Sequence, residues 1–410
     1  MTAPCTAGAG RSEIGLSPEA FPVEGFTAGH DPLHARTLVL DDGLVRVALV
    51  ALELTSVFDD LVDAVRDTVA EEAGVERGNV VVAASHTFSA PHVFPVAQAA
   101  RSADHDERRN ELVRAAVLDA VLRSVSDARR TMRPARVGAG RGRCDVNVNR
   151  DVPTAGGWWL GADEAGPSDK TVQVVRVEEP DGRPVAIIVN HAVQSSVTLE
   201  ARAPGGGRLV SADLAGAACR HVESRYGGGS VAFFLTGAAG DQAPRPAGDI
   251  DAYARVDLLG AQLGAEAVRV CETVRCTDAR TPVRVVHDRV EVPAQVPPAS
   301  MRDLRPSTDH PFRPDGTADV PLVVVRIGDI AIAGLQAELS STTGTGVRER
   351  SPFAHTLVAT MVNGAAKYMA DVTGYDRITY EAMNSRYARG AAETVAARMD
   401  HLLTALRSGL

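Results

Sequence analysis

Short apolar runs alternate with polar turns and amphipathic stretches along most of this chain. Residues 37–40 and 44–52 flank Asp41-Asp42-Gly43 and predict a β-hairpin. Residues 58–73 place Leu61, Val62, Val65 and Val69 at helical spacing and run into Gly74, a helix with a glycine stop. The continuous run NVVVAA at 79–84 is the mark of a buried strand. A second helix is predicted over 111–131, with Val113, Val117, Ala120 and Val121 on one face. Residues 171–177 and 185–189 form a second hairpin about Pro180-Asp181-Gly182. Helices over 211–225 and 252–273 enclose a buried strand at 230–235. Two short strands around Gly328-Asp329 (322–332), a strand at 356–363 and an amphipathic closing helix at 389–406 complete the series.

No repeat stands out. Four loops punctuate the chain, at 151–168, 201–208, 243–249 and 293–321. The last is Pro-rich and too long for an idle connection in a compact domain. It and 151–168, which carries both tryptophans, Trp158 and Trp159, are read as candidate lids or substrate walls.

Composition narrows the class. The 410 residues are 45% hydrophobic and 23% charged, with 43 basic and 52 acidic side chains and a net charge of −9. That balance argues against a nucleic-acid partner, which needs a basic face. Five cysteines without CxxC spacing argue against a disulfide framework or a cysteine zinc ribbon. No apolar run reaches the length of a membrane span, and the first twenty residues lack the basic and apolar regions of a signal peptide. A cytoplasmic protein is expected.

The informative pattern lies directly after the buried strands. NVVVAA is followed by Ser85-His86, AIIVN by His191, VAFFL by a segment reaching Asp241, and IAIAG by a segment reaching Glu338. Ligands bind at the carboxyl edges of strands in α/β sheets. Two histidines and a glutamate are the ligand set of an open catalytic zinc site. A histidine that merely satisfies the fold at each strand end is the alternative, and spacing alone leaves both open. Tyr368, Tyr375, Tyr380 and Tyr387 fall close together and could ligate a metal, stabilise an oxyanion or simply pack.

Taken together, these residues resemble the neutral/alkaline non-lysosomal ceramidase family. The likeness runs through Gly29-His30-Asp31-Pro32-Leu33-His34-Ala35-Arg36, Ser85-His86-Thr87-Phe88-Ser89-Ala90-Pro91, Asn147-Val148-Asn149-Arg150 and Asn190-His191-Ala192-Val193. It continues through Ser211-Ala212-Asp213, Gly240-Asp241-Gln242-Ala243-Pro244, Gly334-Leu335 ahead of Glu338, Asn363 to Tyr368, and Tyr380-Glu381. The resemblance implies an α/β fold, a mixed β-sheet core flanked by helices, as one catalytic domain over 1–410 without the family's C-terminal immunoglobulin-like domain. It implies Zn2+ held by His86, His191, Glu338 and Tyr368, and hydrolysis of an amide bond.

Two departures qualify this. Phe88 stands where the family has an active-site histidine, and Ala243 where it has a serine important for catalysis. The leading expectation is a zinc-dependent amidohydrolase acting on a small N-acyl or peptide-like metabolite through zinc-activated water. Arg150 would clamp the substrate, Asp241 would orient a histidine or act as base, and Tyr368 with Tyr380 would donate to the oxyanion. The alternatives are an amide-forming, acyl-transfer or lactam-forming enzyme of a bacterial biosynthetic pathway on the same zinc site, and a non-catalytic binding member. A homo-oligomer is compatible with either.

Overall fold

The computed structural model describes residues 5–95, 106–246, 248–276 and 281–409. One series of six elements, three strands, a helix, a fourth strand and a second helix, occurs three times. The first unit holds strands Thr6–Glu13, His34–Asp41, Arg46–Leu52 and Val80–Ala84 with helices Asp59–Ala73 and Glu107–Arg130. The second holds Arg136–Arg143, Thr171–Glu178, Pro184–His191 and Val231–Thr236 with helices Asp213–Tyr226 and Ala252–Thr273. The third holds Val283–Gln295, Pro314–Ile327, Ile330–Leu335 and His355–Ala359 with helices Ser341–Arg350 and Ala391–Ser408. In each sheet the first three strands pair antiparallel in order, and the fourth joins the third in parallel after the helical crossover.

Strand alternation sends every second side chain to the opposite face. Leu38, Val81, Ile188, Phe233, Ile332 and Leu357, drawn from all three sheets, meet in one common core. The opposite faces pack under each unit's own helices: Val80 and Val82 with Leu61 and Val117, Ile187 with Leu214 and Leu263, Ala331 with Val347 and Val395. Three sheets thus enclose a central apolar core and carry helices outside. Two first strands admit backbone at close range because they lack side chains there. A Cβ on Gly8 would lie 2.0 Å from the carbonyl oxygen of Ala128 in the helix above it, and one on Gly138 2.6 Å from that of Arg275, just past the end of Ala252–Thr273.

The α/β architecture and most elements follow the hydrophobic pattern; the helix Ala252–Thr273 falls on its expected bounds. Three expectations change. The threefold series is present although the sequence shows no repeat. The stretch 151–168 is largely a β-hairpin, Asn147–Thr154 with Gly157–Asp163. The stretch 293–321 is half strand: Val283–Gln295 pairs with Pro314–Ile327 along nearly its whole length, so the connection shortens to 296–313. Proline, glycine and aspartate at these positions read as loop, but an outer hairpin tolerates them. Among the described residues, no helix is long and apolar enough to cross a membrane.

Candidate functional site

The carboxyl ends of strands from all three units converge on one buried cleft. His86 follows Val80–Ala84 and adopts a left-handed backbone, φ 60°, a conformation that non-glycine residues keep only when the surroundings enforce it. Its Nδ1 lies 2.7 Å from the Thr55 carbonyl oxygen, which fixes the ring and turns Nε2 toward Glu338, 3.1 Å from Oε2. Glu338 opens the short strand Glu338–Leu339, paired in parallel with Tyr368–Met369 so that Glu338 and Tyr368 are register partners. His86 is 4% and Glu338 7% exposed.

Gln194 joins them from the second unit. Its Nε2 donates to the same Glu338 oxygen at 3.0 Å, and its Oε1 accepts from Arg150 Nη1 at 2.7 Å. Because a guanidinium only donates, this pairing fixes which end of the amide faces Glu338. Arg150, on the Asn147–Thr154 strand, also donates from Nε to Glu381 Oε1 at 2.7 Å, and its Nη2 lies 2.5 Å from the same oxygen, a buried ion pair. Its guanidinium lies 5.1 Å from the centre of the Tyr368 ring and 5.9 Å from that of Tyr380. Tyr380 meets Tyr368 edge-on at 5.8 Å and Trp159 at 5.6 Å, so the hairpin read as a loop contributes an aromatic wall. Phe88 packs its ring 4.7 Å from His86.

The electrostatics follow from burial and neighbours. Burial alone would lower His86, but the Glu338 carboxylate outweighs it and raises the imidazole above its ordinary value. Burial pushes the Tyr368 phenol well above its usual range, so it stays a neutral O–H donor at neutral pH. Asp151 is pushed up to about 9, by burial and then by the Glu381 carboxylate beside it. Burial raises Asp241 to about 6.

Of the residues singled out in the sequence, His86, Glu338, Arg150, Tyr368 and Tyr380 are brought together. His191 is not. Its Nδ1 pairs with the Thr171 carbonyl oxygen at 2.9 Å, on the adjacent strand, and its buried Nε2 has no hydrogen-bond partner among the described residues. Among the described residues, Asp241 bonds no histidine. Its Oδ1 accepts from the Ser341 N–H at 2.8 Å, and its Oδ2 from the Ser341 hydroxyl at 2.9 Å and Asn149 at 3.2 Å, tying the start of the third unit's first helix to the second unit. Gln194 and Asp151 carry no reading in the sequence, and Glu381 enters there only beside Tyr380 in the family resemblance, with no role of its own. A glutamine three residues after a histidine carries no spacing signal, whereas Asp151 and Glu381 are sequence neighbours of Arg150 and Tyr380 and could have been found that way.

The residues present do not fit the four-ligand zinc set. Among the described residues, no group of three or more His, Cys, Asp and Glu side chains stands together as a metal site requires. The Gln194 amide turns N–H, not oxygen, toward Glu338, and Arg150 anchors its far end. A cation placed between His86 and Glu338 would face that dipole end-on with a guanidinium behind it.

No protein-family model and no curated protein matches the sequence. Among solved structures, the chain is similar to the neutral ceramidase from Pseudomonas aeruginosa, with a TM-score of 0.77 and 19% identity over 99% of this chain and 75% of that one. A ceramidase complexed with C2 gives a TM-score of 0.78 at 19% identity, over 99% and 76% of the two chains. The fold is therefore ceramidase-like across nearly the whole chain.

Proposed function

We propose that this chain is a hydrolase acting on the carbon–nitrogen amide bond of a small N-acyl compound in the cleft between His86, Glu338, Arg150 and Tyr368. The observation that carries the reading is the buried His86–Glu338 pair, held at a strand-end cleft beside a guanidinium and a neutral phenol. The ceramidase-like fold supports it. Zinc, which the sequence resemblance implies, does not fit the donors turned into the site, so the reading routes no step through a metal.

In this reading Glu338 takes the proton of a water attacking the acyl carbon. The oxyanion that forms accepts a hydrogen bond from the Tyr368 hydroxyl, with the positive charge of the Arg150 guanidinium, itself paired to Glu381, beside it. As the C–N bond breaks, the departing amine takes the proton from His86 Nε2, and Glu338 passes its own proton back to His86 across their 3.1 Å contact. Loss of Glu338 as base should cost roughly 10²–10⁴-fold in rate. A mass-spectrometric screen of N-acyl amines should reveal free acid with the wild-type protein and a drop of that size with Glu338→Gln at unchanged circular dichroism. Equal turnover by Glu338→Gln, or no cleavage of any N-acyl compound, would overturn the reading.

Acyl transfer is the second reading, and the burial of the whole constellation favours it, since exclusion of water lets an added amine compete for the acyl group. Adding a free amine to the screen separates the two: a new amide in place of free acid is the transfer product.

A further inference from the structure

Tyr380 stands half-buried on the wall of the cleft, its ring edge-on to Tyr368 on one side and to Trp159 on the other, with the Arg150 guanidinium 5.9 Å from its centre. What lies behind the ring decides what its hydroxyl can do. Asn384, 1% exposed, closes the short helix Tyr380–Met383 and binds Tyr380 twice. Its backbone N–H donates to the Tyr380 carbonyl oxygen at 2.8 Å, and its side-chain Nδ2 donates to the Tyr380 hydroxyl oxygen at 3.1 Å. A phenol oxygen that accepts in this way keeps its own hydrogen to give. Among the described residues, the Tyr380 hydroxyl donates to no acceptor. The amide at 384 also carries a cost, because its Oδ1 is buried without a partner among the described residues. An apolar side chain would avoid that cost, so the amide is explained by what its Nδ2 does to the phenol.

We propose that Asn384 is a positioning residue, and that through it Tyr380 becomes a second oxyanion donor beside Tyr368. The inference rests on the amide-cleavage reading for the oxyanion, while the orientation of the phenol does not depend on turnover. The ring contacts at 5.8 and 5.6 Å fix the plane of Tyr380, and the Asn384 N–H fixes the one freedom that remains, rotation of the hydroxyl. A donor stabilises an oxyanion only when it already points to where the charge develops. As water adds to the acyl carbon, the carbonyl oxygen takes up the negative charge and accepts a hydrogen bond from each phenol. Neither tyrosine gives up its proton.

Asn384→Asp tests this by turning the bond around: the shape stays, but a carboxylate accepts the phenol hydrogen and withdraws it from the cleft. On an N-acyl compound cleaved by the wild type, Asn384→Asp should lower kcat roughly 100-fold with KM little changed, the loss expected for one oxyanion donor, and Tyr380→Phe should match it. The double variant should be no slower than Tyr380→Phe alone, because no phenol is left to capture. Losses that multiply in the double variant, or wild-type kcat in Asn384→Asp, overturn the proposal. If Asn384→Asp does not keep the wild-type circular dichroism, Asn384→Leu replaces it; this variant should lose about tenfold in kcat, and none on a Tyr380→Phe background. A second readout needs no substrate. The chain has six tyrosines, so tyrosine labelled with 13C at Cζ gives six NMR signals, and the one missing from Tyr380→Phe belongs to Tyr380. In Asn384→Asp that signal should move toward the phenolate position. An unmoved signal overturns the proposal whether or not any amide is cleaved. A moved signal without cleavage of any N-acyl compound fells the amide reading and leaves the orientation of Tyr380 standing.

Discussion

Asp151 makes a sharp thermodynamic prediction. In the folded protein, burial and the neighbouring Glu381 carboxylate push it up to about 9, against about 3.9 for an aspartate in an unfolded chain. Between those values the folded state holds a proton that the unfolded state has released. A group whose folded value is raised in this way lowers stability as pH rises, because unfolding frees a proton. One proton per molecule corresponds to about 1.4 kcal/mol per pH unit. From pH 5 to pH 8 the effect accumulates to about 4 kcal/mol. Asp151→Asn removes the requirement while keeping the shape. Urea unfolding followed by circular dichroism at pH 5, 6, 7 and 8 reads the difference between variant and wild type, in which the titrating groups away from Asp151 cancel. The variant should gain on the wild type by about 1.4 kcal/mol per unit across this window. Parallel stability curves would mean that Asp151 is ionised in the folded protein and that the account of its surroundings is wrong.

Two further outcomes follow from particular contacts. Gln194→His would replace the N–H turned toward Glu338 by an imidazole, so the variant should retain about one zinc per chain after dialysis, by elemental mass spectrometry, where the wild type retains almost none; stoichiometric zinc in the wild type would refute the blocking role of Gln194. Arg36, fully buried, pairs with Glu53 and lies 3.5 Å from Glu223, so Arg36→Met strands a buried carboxylate and should cost about 3–5 kcal/mol in denaturant unfolding. A loss below about 1 kcal/mol would show that Glu53 finds other donors.

Much of this was legible in the chain because apolar runs of strand length mark the sheets whatever their order. The strand ends then pointed to His86, Glu338 and, with the tyrosines, Tyr368. What escaped has physical reasons. Asn147–Thr154 is a strand whose first five residues are buried yet mostly polar, because they build the site, and a hydrophobicity pattern has nothing to read there. His191 sits at a strand end like His86, but its ring pairs along its own sheet with Thr171. Residue type could not distinguish a histidine that faces the cleft from one that stays in the sheet. Gln194 is neutral and spaced like any polar loop residue, and only its two hydrogen bonds show its place. The threefold series is held by the sequence of element types, with few shared residues beyond the glycines of the first two leading strands.

That series gives the cleft no single owner. His86 comes from the first unit, Gln194 and Arg150 from the second, Glu338 and Tyr368 from the third, and short bonds to Glu338 tie the third unit to each of the other two. Each unit is scaffold on its own and an incomplete fragment of chemistry. A change at a single strand tip, at position 194 or 88 for instance, would therefore alter the chemistry of the cleft while leaving the sheets beneath untouched.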